Sequence, residues 1–321
     1  MSAAGQECTD RATFESMDEV QQWVLASVLE DGRRVAPRGE PTLERLAVAF
    51  TLTQPRRRCV TNSVRRWSLP LAVGEFCWHA SASDDATFLS YYAARWADFA
   101  GNDSTIQGSC YGHKAFLGNP SRWERLSQLL RHDWNSRRAV LVFQDPDKVF
   151  DIDAIDVACA STLQFLIRNG KLHAVCNMWS NDAIWGLPYD VFLFTMLQEL
   201  LACQLGVELG HYHHCAGSMH VYERHIELSR RICSVPEGFD LEMPVMTACD
   251  QLAAFLDAES RIRTGSDDNV AITHLDEYWQ ELLVVLQWFQ RGKRDASLGT
   301  SSMPPATSRY DRLLSFVRVS R

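Results

Sequence analysis

Residues 161–206 read STLQFLIRNGKLHAVCNMWSNDAIWGLPYDVFLFTMLQELLACQLG. Two strand-like runs, STLQFLIR and KLHAVCNM, flank Asn169-Gly170, the pair that best satisfies the positive φ angles of a type I′ turn, so the stretch predicts a β-hairpin. A polar loop, WSNDAIWGLP, follows. The run from Asp190 to Leu205 then has no polar face wide enough for a surface position and ends at Gly206, a natural C-terminal stop. It predicts a buried central helix against which the hairpin's sheet packs.

Working outward, SMDEVQQWVLASVLED (16–31) places Met17, Val20, Val24, Leu25 and Val28 at helical spacing and stops at Gly32. A basic loop (33–41), a strand (47–52), a helix over 69–78 and a second helix over about 85–99 come next. The loop GNDSTIQGSCYG (101–112) is rich in turn formers. Near the end, residues 274–292 read as a late packing helix between loops at 264–270 and 292–308. There is no internal repeat. Strands and helices mix without a βαβ rhythm, which favours a single α+β domain over residues 1–321 rather than a doubly wound sheet.

Composition excludes several classes. Of 321 residues, 46% are hydrophobic and 22% charged, with 17 Gly and 11 Pro, so the chain is neither fibrous nor disordered. Lys plus Arg number 32 against 40 Asp plus Glu, a net charge of -8 that argues against non-specific nucleic-acid or anionic-membrane binding. The most apolar stretch is broken by Gln198, Glu199 and Gln204, and the N-terminal residues show no basic region leading into an apolar run, so neither a membrane span nor a secretion signal is expected. Ten scattered cysteines with no CxxC suit a reducing cytoplasm rather than a disulfide framework.

Polar residues crowd between Asp156 and His225, beside what should be core elements, and such density suggests a site. The order of motifs there is specific: Cys159, then Gln164-Phe165, the hairpin, Ser180-x-Asp182, Gly186-Leu187-Pro188-Tyr189, and His220-Val221-Tyr222. Upstream lie Glu75-Phe76-Cys77-Trp78, Leu89 and Trp96, Gly108-Ser109-Cys110-Tyr111-Gly112, and Ser136-Arg137-Arg138. This ordered set resembles the thymidylate synthase superfamily over roughly residues 16–230, with an atypical C-terminal region from about 231.

The resemblance implies a homodimer with shared active sites, a pyrimidine nucleoside monophosphate as substrate, and 5,10-methylenetetrahydrofolate as one-carbon donor, without a metal. It makes Cys159 the nucleophile that adds to C6 of the ring; a thiolate suits a bond that must later break, and phosphate-binding arginines can lower its pKa. Glu75 matches the carboxylate managing protons around the ring, and Tyr111 the tyrosine near C5. Arg38, Arg137, Arg138 and Ser180 match phosphate ligands, the paired arginines crossing from the partner subunit, while Trp179 stands where the family has a further arginine. Gln164 falls beside the nucleophile, and His220 and Tyr222 match sugar-hydroxyl ligands. Arg65, Trp96, Asp182 and Gly186 fall on the folate side. Ala160 replaces the histidine that usually follows the nucleophile.

The most informative departure is Asp190, where thymidylate synthases carry an asparagine that pairs with uracil. A carboxylate accepts a hydrogen bond from cytosine's amino group but opposes uracil's O4. Aspartate here marks the deoxycytidylate hydroxymethylases of phages and the cytidylate hydroxymethylases of nucleoside-antibiotic pathways. The expectation is therefore a CMP or dCMP hydroxymethyltransferase. Alternatives are a C5 methyltransferase of thymidylate synthase type, a decayed nucleotide-binding module, and an Asp190 that merely caps the following helix. A metal-dependent hydrolase built on His211, His213, His214 and Cys215 is disfavoured, because their spacing matches no common zinc pattern.

Overall fold

The computed structural model describes residues 12–101, 103–235, 238–266, 273–298, 308–317 and 319. Its strands are β1 (Ala12–Phe14), β2 (Arg33–Val35), β3 (Thr42–Leu52), β4 (Val140–Val142), β5 (Ala160–Arg168), β6 (Lys171–Asp182) and β7 (Glu208–Tyr222). The helices are α1 (Met17–Asp31), α2 (Leu69–Ala80), α3 (Ala86–Tyr92), α4 (Tyr111–Phe116), α5 (Arg122–His132), α6 (Gly186–Leu205), α7 (Ile226–Ser234), α8 (Leu252–Thr264), α9 (Glu277–Leu298) and α10 (Asp311–Leu314). The strands form one sheet in the order β1-β3-β7-β6-β5-β4, with β2 paired to β3. The β6–β7 and β1–β3 pairs are parallel and the others antiparallel, so the sheet is mixed and the α+β reading holds.

The β5–β6 hairpin turns where expected, with Asn169 and Gly170 at φ 52° and 75°, both in the left-handed region a type I′ turn requires. Alternation along β5 puts Leu163, Phe165 and Ile167 in the core, while Thr162, Gln164, Leu166 and Arg168 on the other face stay half-buried. The helix α6 crosses the buried face with Phe192, Phe194, Leu197 and Leu200 sealed from solvent, and it ends at Gly206 in a left-handed conformation. It is the central helix the sequence predicts, but it begins at Gly186 rather than Asp190. No helix among the described residues is long and apolar enough to cross a membrane.

Other elements differ from expectation at their edges. The predicted helix over 85–99 breaks into α3 and a 3-10 turn, Ala94–Phe99. Part of the basic loop 33–41 pairs with β3 as strand β2, and β3 itself starts at Thr42 rather than at 47. The loop 101–112 ends with Tyr111 already in α4. The late helix α9 starts later than 274 and runs to Leu298, into the first part of the predicted 292–308 loop. Residues 267–270 and 299–307 of the two predicted loops lie outside the described residues.

Candidate active site

Cys159 sits just before β5, half-buried, in a stretch tied to the GSCYG loop. Asp156 makes that tie: its carboxylate accepts from the backbone N–H groups of Gly108 and Ser109, both at 2.7 Å, and from the Ser109 hydroxyl at 2.6 Å. Tyr111 starts α4, packs on His79 with ring centroids 5.5 Å apart, and its hydroxyl accepts from the N–H of Ala160 at 3.3 Å. The tyrosine is thereby fixed beside the nucleophile. His79 is itself held by the Gly112 N–H, which donates to its Nδ1 at 3.0 Å, and burial pushes its pKa down to about 3, so it is a neutral support.

Two carboxylates lie within electrostatic reach: Asp190 acts both on the Cys159 thiol and on Glu75. Glu75, on the buried face of α2, accepts from the indole N–H of Trp96 at 3.1 Å; burial, with the charge of Asp190 adding, pushes its pKa up to about 8. Asp190 accepts from the Asn181 amide at 2.7 Å, and burial pushes its pKa up to about 7 despite that bond. Because Asp190 lies inside α6 with its side chain turned to Asn181, it is not the cap of that helix. A Cβ at Gly186 would come within 3.0 Å of the Asn181 amide nitrogen and 3.4 Å of an Asp190 oxygen, so the glycine makes room for the pair.

The thiol of Cys159 is pushed up to about 12, first by burial and then by Asp190 and Asp156, with Arg38 opposing. Within one chain the expected lowering by phosphate-binding arginines is therefore outweighed. Arg38 adopts φ 53° in an exposed turn, and Arg137 and Arg138 are exposed; none of the three forms an ion pair among the described residues. These cations remain available to an anion. The Gln164 amide donates to the Arg137 carbonyl at 2.8 Å and steadies the arginine loop. Ser180 and His220 meet across β6 and β7, with Oγ 3.4 Å from Nδ1, and Tyr222 stands edge-on to His220 at 5.1 Å.

Arg65 is buried and donates through two nitrogens to the Ile184 carbonyl, at 2.7 and 3.1 Å, while its guanidinium lies 4.5 Å from the Trp185 ring centroid. The bonds spend Arg65 on the 183–185 turn. Arg95, which the sequence reading missed, lies 5.1 Å from the same indole and acts electrostatically on Glu75. Asp182 accepts from the Ile184 N–H at 2.8 Å and shapes the same turn. Trp179 donates its indole N–H to the Ala158 carbonyl at 2.6 Å, so it presents a ring beside the nucleophile at the position where the resemblance has an arginine. His79 was also missed, and Asp156 and Asn181 were placed in the polar block without a role. For Asn181 the signal was its place between Ser180 and Asp182; nothing in the sequence separates Arg95 from a surface arginine.

This arrangement brings one thiol, two proton-holding carboxylates, a tyrosine and the exposed Arg38 within electrostatic reach of one another, a set suited to covalent addition to an anionic, polar ring substrate. The thymidylate synthase family model matches residues 22–255, and the chain belongs to that family. The match runs beyond residue 230 and stops before α9. Similar proteins include the deoxyuridylate hydroxymethyltransferase of Bacillus phage SP01, 30% identical over 214 residues, 62% of this chain and 55% of that protein. The thymidylate synthase of Bacillus phage phi3T is 33% identical over 168 residues, 49% of this chain and 58% of that protein. The chain thus spans a little over half the length of these relatives. The solved thermostable thymidylate synthase A from Bacillus subtilis shares the fold, with a TM-score of 0.59 at 23% identity over 70% of this chain and 86% of that one.

Proposed function

We propose that the chain is a cytidylate 5-hydroxymethyltransferase acting on CMP or dCMP, in a reducing cytoplasm, as a homodimer whose partner lends Arg137 and Arg138 to each site. The observation that carries the base preference is Asp190, a carboxylate held by Asn181 inside the cleft and near the nucleophile. Its ionised form accepts from a 4-amino group and repels a 4-carbonyl oxygen. A relative named as a hydroxymethyltransferase supports the product class.

In this reading 5,10-methylenetetrahydrofolate supplies the one-carbon unit at the oxidation level of formaldehyde. The side marked by Trp96, Trp185 and the exposed Arg95 suits it, because a flat heterocycle with an anionic tail needs aromatic faces and cations. Cys159 adds its sulfur to C6 and leaves it again when the product forms. Its high resting pKa means that deprotonation accompanies nucleotide binding, when Arg38 and the partner's arginine pair gather around the cleft and add positive charge. Glu75, with a pKa of about 8, holds a proton at neutral pH and lends it to the ring as electron density shifts. Tyr111 orients water near C5. Water, rather than hydride, completes the reaction.

The test is trapping. 5-Fluorocytidylate with methylenetetrahydrofolate should give a covalent adduct on the Cys159 peptide by mass spectrometry, absent in Cys159→Ala. An adduct with 5-fluorouridylate alone would overturn the base assignment.

A further inference from the structure

The run HYHHC (211–215) resolves in the structure into two faces of β7. His214 is sealed in the core, stacked on Phe50 at 4.9 Å, whereas His211 is exposed and His213 half-buried on the opposite face. There they meet His173 of β6. We propose that His173, His211 and His213 form a binding site for a divalent transition-metal ion, Zn²⁺ being the best chemical match.

Three observations carry the proposal. The potential ligand atoms of the three imidazoles all lie within 4.8 Å of one another. Tetrahedral zinc with Zn–N bonds of about 2.0–2.1 Å brings its nitrogens roughly 3.3 Å apart, so small side-chain rotations close the site. The backbone has also been adapted to bring them together. Leu172 pairs with Leu209 but Ala174 with Tyr212, so the register slips and His173 faces both Gly210 and His211. Bulges are rare between parallel strands and serve to re-aim side chains. A Cβ at Gly210 would stand 3.0 Å from His173 ring carbons, so the glycine is what lets that ring lie over β7.

The third observation is a supporting shell. Thr51 of β3 places Oγ1 2.9 Å from His213 Nδ1, the kind of outer bond that fixes a metal-binding imidazole's orientation. His173 Nδ1 accepts the His211 backbone N–H at 3.1 Å, and ligation through that atom replaces this one bond. The donor set has no carboxylate; the nearby Glu208 is paired with Lys171 at 3.2 Å. Three neutral nitrogen donors favour Zn²⁺, Ni²⁺ or Cu²⁺ over Mg²⁺ or Ca²⁺, and leave a fourth position to water. The triad lies at the hairpin end of β6, opposite the end that carries Ser180 and Asp182, so the ion ties β6 to β7 and takes no part in turnover. The spacing within HYHHC hides this site because the third ligand, His173, comes from a neighbouring strand.

The experiment uses the full chain without a histidine tag, stripped with a chelator and titrated with ZnCl₂ in a calorimeter. One Zn²⁺ per chain is expected, with affinity weakened about 10–100-fold in His211→Ala and in His173→Ala and unchanged in His132→Ala, an exposed histidine on α5. Zn²⁺ should raise the melting temperature of the parent and not of His211→Ala, and Co²⁺ should give the visible absorption of a tetrahedral site. His211 is exposed, so its variant folds and carries the test even where His173→Ala fails. No stoichiometric binding, or equal affinity in the parent and His211→Ala, overturns the proposal.

Discussion

Two regions of this protein bury charge, and they treat it oppositely. Arg58 and Glu199 form a sealed pair at 2.5 Å, in which Glu199 also accepts the Met246 N–H at 3.1 Å and Arg58 donates Nε–H to the Pro55 carbonyl at 2.9 Å. Glu75 and Asp190 are two neighbouring like charges; each accepts from one neutral donor, and Arg95 offsets only part of the burial of Glu75. The first region spends its charges on pinning the segment after α7 to the central helix. The second leaves its charges under-compensated, so that burial raises their pKa values to about 8 and 7 and stores protons near neutrality. Compensated burial holds structure together, whereas uncompensated burial with a nearby thiol marks chemistry.

The contrast can be broken or sharpened by substitution. Cys159→Ala should lower turnover by at least about 10⁴-fold while nucleotide binding persists, since no other group can form the bond; intact turnover would place the chemistry elsewhere. Glu75→Gln should cost about 10²–10⁴ in kcat but make the fold more stable in alkaline solution. The sign follows from its raised pKa: the folded chain keeps a proton that the unfolded carboxyl, with an ordinary value of 4.5, has already released, so Glu75 costs stability increasingly as pH rises from about 4 to 8. Calorimetric melting at pH 8 reads this directly, and a lower midpoint for the variant would contradict it.

Arg58→Ala should do the reverse, destabilising by about 3–5 kcal/mol in denaturant titration because Glu199 is left buried and alone, with kcat of the surviving folded protein little changed. Asp190→Asn should shift the ratio of cytidylate to uridylate kcat/KM toward uridylate by about 10–100-fold, the worth of one good base contact. The smallest effect is one of pH. Below about 7 the neutral Asp190 can donate to uracil O4, and above it the carboxylate cannot, so the cytidylate preference of the parent should grow between pH 6 and 8 and vanish as a pH effect in Asp190→Asn.

Much of this was legible in the sequence, for identifiable reasons. The Asn169-Gly170 turn and the apolar run ending at Gly206 are local signals, and the structure keeps both. Cys159, Glu75, Tyr111 and Asp190 were named from an ordered set of motifs, and the fold couples all four, with Asp190 acting on the other three. What the sequence hid depends on partners distant in the chain. Arg65 matched a folate-side residue, but its guanidinium is committed to the Ile184 carbonyl, 119 positions away. Gln164 is likewise committed to the Arg137 carbonyl. The start of α6 at Gly186 was missed because Pro188 and the polar loop before it read as a boundary, whereas Pro is well tolerated in a helix's first turn.

The central claim is a cytosine nucleotide and a hydroxymethyl product, and product analysis tests it most directly. The protein would be incubated with methylenetetrahydrofolate and separately with CMP, dCMP, UMP and dUMP, with products read by mass and dihydrofolate by absorbance. The account predicts hydroxymethylated cytidylate without dihydrofolate. Methylated uridylate formed together with dihydrofolate would contradict it.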